Sequence, residues 1–231
     1  MTYVFTPPAP ATVAVADSDD RFPVRRIFCV GRNYAAHARE MGKDPDRDPP
    51  FFFTKPADAV VDTEATIPYP PETENFHFEA ELVVAIGKDG FRIEEQDVSA
   101  HIFGYACGND LTRRDLQLAA RETGRPWDWG KAFDLSAPCA PLHRIEDVGE
   151  LTSGEISLSV NGKKKQEADI SQLIWDVNEI VSILSRSIHL RQGDLVYTGT
   201  PAGVGPVNAG DKIVVRIAGL TDLVTTIGDP E

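Results

Sequence analysis

Alternating apolar and polar positions predict a chain built mostly from strands with a few covering helices. The strongest pattern is FHFEAELVVAIG at 76–87: Phe76, Phe78, Ala80 and Leu82 fall on one face of a strand, and His77, Glu79 and Glu81 on the other. Further strands are expected in VRRIFCVG (24–31), FFFTKP (51–56), IFGYACG (102–108), DLVY (194–197), DKIVVRIAG and TDLVTTIG near the end, and two short ones within residues 3–16. GEISLSVNGKKKQEAD reads as a hairpin turning at Asn161-Gly162, with the lysines as its solvated flank. Helical patterns cover NYAAHAREMG (33–42), 94–100, 111–122 with Leu111, Leu116 and Ala119 or Ala120 as its apolar side, and 171–187. KDPDRDPP at 43–50 reads as a loop, and strand fragments and turns fill 58–75. The resulting class is α+β, mainly β, with one domain over 25–231 and a short N-terminal strand segment at 1–24.

Charge and cysteine content narrow the chemistry. The 231 residues carry a formal net charge of −13, which argues against nucleic acid and anionic membranes as partners. Cys29, Cys107 and Cys139 form no CxxC pair and are too few for an all-thiolate zinc site, so buried thiols in a reducing, cytoplasmic setting are expected. The N-terminus has no basic lead-in to an apolar run, and no segment is apolar enough to span a bilayer.

The oddity is the pair Glu79 and Glu81, placed on one strand face inside an otherwise core-like segment. Alternate strand residues lie roughly 6.6 Å apart, so two such carboxylates can converge on one hard cation, Mg2+ or Mn2+ among them. A half-exposed antiparallel face gives the same alternation with no ligand at all. Asp110 ends a strand just before a helix, where a plain N-cap is the alternative. Gly199–Gly205 is rich in glycine but lacks the lysine ending of a phosphate loop.

GRNYAAHAREMG (31–42), FFFTKP (51–56), FHFEAEL (76–82), GNDLTRRDLQ (108–117), GKAFD (130–134) and GDLVYTGTPAGVG (193–205) occur in one order along the chain. In that order they resemble the fumarylacetoacetate hydrolase family, whose members include acylpyruvate hydrolases. KPADAV, IPYPP and FDLSAPCAP most resemble the branch that cleaves fumarylpyruvate. The resemblance implies rolled mixed β-sheets, a homodimer, and a Mg2+ or Mn2+ ion held by Glu79, Glu81 and Asp110. It makes His37 the general base that activates water, Glu40 its orienting partner, and Lys131 the stabiliser of negative charge. Gln117 and Thr200 would hydrogen-bond the substrate, with backbone N–H groups near Gly199 beside them. For the far carboxylate of fumarylpyruvate, Arg113 is the first choice and Arg32 the second. The implied reaction is hydrolysis of a carbon–carbon bond in a 2,4-dioxo acid, fumarylpyruvate giving fumarate and pyruvate. An oxaloacetate decarboxylase, a general acylpyruvase, an isomerase or hydratase, and a non-catalytic metal-binding protein are the other readings.

Overall fold

The computed structural model describes residues 2–36 and 48–230. The helix expected at 33–42 and the loop expected at 43–50 lie partly outside the described residues.

The apolar runs meet in a six-stranded mixed sheet, in the order His143–Arg144, Ile102–Asn109, Ala80–Ile86, Asp194–Tyr197, Arg26–Gly31, Phe51–Lys55. Only the Asp194–Tyr197 and Arg26–Gly31 pair is parallel. Both faces of this sheet are covered, and every residue of Ala80–Ile86 is buried. That is why residues 82–86 read as a continuous apolar run rather than an alternation. One face, with Val30, Leu82, Val84 and Val196, joins a core shared with Ile156, Leu158 and Val215 of a second, five-stranded sheet. The order there is Lys163–Asp169, Glu155–Val160, Lys212–Ile217, Leu223–Pro230, Ala65–Tyr69. The other face, with Ile27, Val83 and Tyr197, packs on Val13, Phe22 and Leu142.

Local signals account for several boundaries. Asn161 and Gly162 both have positive φ, as the tight turn expected between the hairpin strands requires. The helix expected from 171 begins at Val177. Asp176 and Glu179 form a reciprocal capping box there, each side chain accepting from the other's backbone N–H, and this sets the start. At the N-terminus only Thr12–Ala14 forms a strand, pairing with Arg21–Pro23. Tyr3, Val4 and Phe5 are exposed and outside any strand, because they have no ladder to join.

The strand expected at 76–87 is two strands, Phe76–Phe78 and Ala80–Ile86, broken at Glu79. Phe76–Phe78 leaves the six-stranded sheet and pairs with Thr112–Arg113 and Gly205–Pro206 in a small sheet of its own. Its neighbours break at the same level. The chain bends at Asp110 and Leu111 between Ile102–Asn109 and Thr112–Arg113, and over 198–204 between Asp194–Tyr197 and Gly205–Pro206. Three adjacent strands thus step together from one sheet to another. Backbone groups freed by the step find partners: Glu79 N–H donates to Asn109 Oδ1 at 2.9 Å, and Glu79 C=O accepts from Asp110 N–H at 2.9 Å.

Candidate metal centre and active site

Glu79, Glu81 and Asp110 project at this step, each offering a carboxylate oxygen, and the three oxygens lie within 4.8 Å of one another. All three residues are at least 96 % buried, which excludes the half-exposed sheet face as the explanation of the alternation. Three buried acids so close are strongly unfavourable unless cations face them. Lys131, itself buried in the short helix Asp128–Lys131, donates to Glu79 Oε2 at 2.8 Å and to Asp110 Oδ2 at 2.6 Å. Lys55 Nζ lies 2.8 Å from Asp110 Oδ1 and donates to the backbone carbonyls of Leu111 and Lys131. The Asp110 contact is an ion pair without hydrogen-bond alignment, so this oxygen keeps acceptor capacity. Arg114 donates to Glu79 Oε1 and to Gln117 Oε1.

Charge sets the protonation pattern. Burial pulls the Lys131 ammonium down, but Asp110 and Glu79 outweigh it and hold the group above its usual range. Burial, then Asp110 and Glu79, push the Glu81 carboxyl well up; Lys131 and the Gly199 N–H, which donates to Glu81 Oε2 at 2.8 Å, oppose this without cancelling it. Burial and then Arg114 lower His77 to about 4, so it is neutral near pH 7. Arg114 Nε approaches His77 Nδ1 at 3.4 Å, which leaves Nε2–H to donate to Asn75 Oδ1 at 2.8 Å.

The donor set fits a hard divalent cation. Three carboxylate oxygens converge, and burial and the two neighbouring acids hold Glu81 toward its protonated form, which the charge of such an ion would oppose. Loading Mn2+ is therefore expected to release a proton, with apparent affinity rising as pH rises. Calorimetric titration in two buffers of different ionisation enthalpy checks this, and equal heats in the two would count against Glu81 as a ligand.

The structure brings Arg32, Gln117, Thr200, Lys131 and the three acids around one small pocket, together with Phe53, Arg114 and Trp127. Thr200 Oγ1 accepts from Gln166 Nε2 at 2.8 Å; the same amide donates to Pro201 C=O, and Gln166 Oε1 accepts from Ala80 N–H. This buried glutamine ties the five-stranded sheet to the site. Arg32 stands near Phe51 and Trp127, with its guanidinium carbon 5.3 and 5.7 Å from the ring centres. His37 and Glu40 lie outside the described residues.

Arg113 does not face this pocket: its guanidinium stacks on Phe133 at 4.3 Å and lines a separate cleft. The arginine at the acids is Arg114, the first residue of the helix Arg114–Glu122. Its signal was present in the sequence, since it sits four residues after Asp110 and three before Gln117, on one helical face with the latter. The Gly199 N–H donates to Glu81 Oε2, so this backbone group positions a carboxylate of the cluster. Trp127 walls the pocket, whereas Trp129 is 77 % exposed and faces the separate cleft.

The chain is 48 % identical over 193 residues to a fumarylpyruvate hydrolase of Ralstonia sp., covering 83 % of this chain and all of that one. Its fold superposes with a TM-score of 0.97 on the fumarylpyruvate hydrolase of Pseudomonas aeruginosa, solved in complex with Mn2+ and pyruvate. That protein is 53 % identical, with 99 % of this chain and 100 % of that one covered. An oxaloacetate tautomerase of Escherichia coli is 37 % identical over 199 residues, 86 % of this chain and 90 % of that one. The pattern described as fumarylacetoacetate hydrolase C-terminal matches residues 26–228, and the chain belongs to that family.

Proposed function

We propose that this protein is a divalent-metal-dependent hydrolase that cleaves a carbon–carbon bond in a 2,4-dioxo acid, with 3-fumarylpyruvate giving fumarate and pyruvate. The observation that carries the reading is the convergence of three buried carboxylates beneath Lys131 and Arg114. Glu79, Glu81 and Asp110 are the residues that would hold Mg2+ or Mn2+, and such an ion supplies Lewis acidity and a template for adjacent oxygens.

The charges indicate what the site accepts. Glu79, Glu81 and Asp110 are balanced by Lys55, Lys131 and Arg114, so a loaded site carries an excess of positive charge. A substrate bearing a carboxylate and an adjacent keto oxygen offsets that excess. As the carbon–carbon bond breaks, negative charge grows on the departing pyruvate enolate. Lys131, a desolvated cation held against Glu79 and Asp110, is assigned to face that charge, an arrangement that would lower the barrier because the cation is oriented beforehand. Gln117 and Thr200 supply polar contacts, and Arg32 is the cation at the aromatic rim for the far carboxylate. His37 is assigned the proton abstraction from water, as a residue whose ordinary pKa suits a base near pH 7, and Glu40 its orientation.

Product analysis tests the reaction. Purified protein given fumarylpyruvate and Mg2+ is expected to yield fumarate and pyruvate in equal amounts, and none in EDTA. An intact carbon chain, or metal-dependent enol–keto interconversion of oxaloacetate in its place, would overturn the hydrolase reading in favour of an isomerase.

The same reading makes residues 25–231 one catalytic domain with 1–24 appended, and the working form a cytoplasmic homodimer. The family match over 26–228 supports the domain boundary. Among the described residues no helix is long and apolar enough to cross a membrane.

A further inference from the structure

Lys163–Asp169 is an edge strand of the five-stranded sheet, and Gln166 is its only buried residue. Two backbone partners fix which end of the Gln166 amide is which. Ala80 N–H can only donate and Pro201 C=O can only accept, so Oε1 meets the first at 2.9 Å and Nε2 the second at 2.7 Å. The other Nε2 hydrogen goes to Thr200 Oγ1 at 2.8 Å. The loop that carries Thr200 lies directly on this strand: a Cβ on Gly203 would come within 2.2 Å of Lys165 C=O. A hydroxyl has one proton and two lone pairs, and Gln166 occupies a lone pair. The Thr200 proton is thereby turned away from Gln166, and among the described residues it has no acceptor. Thr200 lines the metal pocket beside Glu81 and Lys131.

We propose that Gln166 is a positioning residue for substrate binding: by occupying a lone pair of Thr200 Oγ1 it fixes that hydroxyl as a donor to an oxygen of the substrate's 2-oxo carboxylate. The proposal rests on the dioxo-acid reading above. Threonine's branched Cβ restricts χ1, so the proton has few directions left once Gln166 is in place. A donor held this way needs no reorientation when an anionic oxygen arrives. The same amide holds Ala80, which lies between Glu79 and Glu81, so one side chain sets the donor and the acidic cluster relative to each other. A tie between the two sheets needs only the Ala80 and Pro201 contacts; the contact to Thr200 is the one that reaches a ligand.

The test is a double-mutant cycle on pyruvate affinity, measured by calorimetry on the full chain in saturating Mn2+. Thr200→Val and Gln166→Met are each expected to weaken binding about tenfold, and the double variant to bind no more weakly than Thr200→Val. Thr200→Ser keeps the hydroxyl, so it should retain most of the affinity and stay sensitive to Gln166→Met. If Gln166→Met does not fold, Gln166→Glu takes its place in the cycle. It keeps an acceptor for Ala80 N–H but turns an oxygen toward Thr200, which draws the hydroxyl proton away from the pocket. Additive losses, or unchanged affinity in Thr200→Val or in the Gln166 variant, would overturn the proposal and leave the dioxo-acid reading standing. No pyruvate binding to the Mn2+-loaded wild type would overturn both.

Discussion

Glu81→Gln is expected to lower turnover of the proposed substrate on the order of a thousandfold while leaving the metal-free fold at least as stable as wild type. The two effects separate because the residue is unfavourable to the fold and needed by the ion. Glutamine matches its shape, and its carbonyl can still accept the 2.8 Å hydrogen bond from Gly199 N–H. It removes one of three mutually repelling buried acids, so the melting temperature in EDTA should hold or rise. The increase in melting temperature that Mn2+ gives the wild type should largely disappear, since a ligand stabilises only through its affinity for the folded state. Thermal scans with and without Mn2+, beside the turnover assay, check both halves. A variant that keeps the full Mn2+ increment would remove Glu81 from the ligand set.

Lys131→Met is expected to damage both stability and turnover, with only the first rescued by metal. Methionine occupies a similar volume but leaves Glu79 Oε2 and Asp110 Oδ2 without the ammonium that now lies 2.8 and 2.6 Å away. Removing one partner from such a buried network costs about 3–5 kcal/mol. A divalent ion bound by the same carboxylates restores much of that loss. Turnover should remain lower by about 10² to 10³, because the charge proposed to face the departing enolate is gone whatever the ion does. The measurement pairs denaturant unfolding in EDTA and in Mn2+ with kcat in saturating Mn2+. Recovery of kcat along with stability would reduce Lys131 to a structural counter-ion.

Sequence reading recovered what depends on local patterns and lost what depends on how elements meet. The buried runs, the hairpin at Asn161-Gly162 and the pair Glu79 and Glu81 were legible, because each leaves a mark in composition or period, whereas Asp110 joined the pair through the family resemblance. The break at Glu79 left none: Phe76 to Ile86 is uninterrupted strand chemistry, and the step is imposed by neighbours far away in sequence. The helix at 114–122 misled for a related reason. Its apolar side points away from the core, and its polar side is buried because acids await it there. Arg113, the first choice for the far carboxylate, ends the strand Thr112–Arg113 with its guanidinium on Phe133, while Arg114 opens the helix and reaches Glu79. His37 and Glu40 rest on resemblance alone.

The shared step of three strands makes the ligand cage a gauge of sheet orientation. On an unbroken strand, Glu79 and Glu81 would ride on one rigid rail at a fixed repeat. Here Glu81 belongs to the six-stranded sheet, while Glu79 and Asp110 mark the crease where the chain passes into the smaller one. The distance between their oxygens therefore depends on the angle at which the two sheets meet. Packing changes remote from the acids, at Phe76, Phe78 or Gln166, can open or tighten that angle. In this fold, tuning of the ion's grip is available to residues that never touch it.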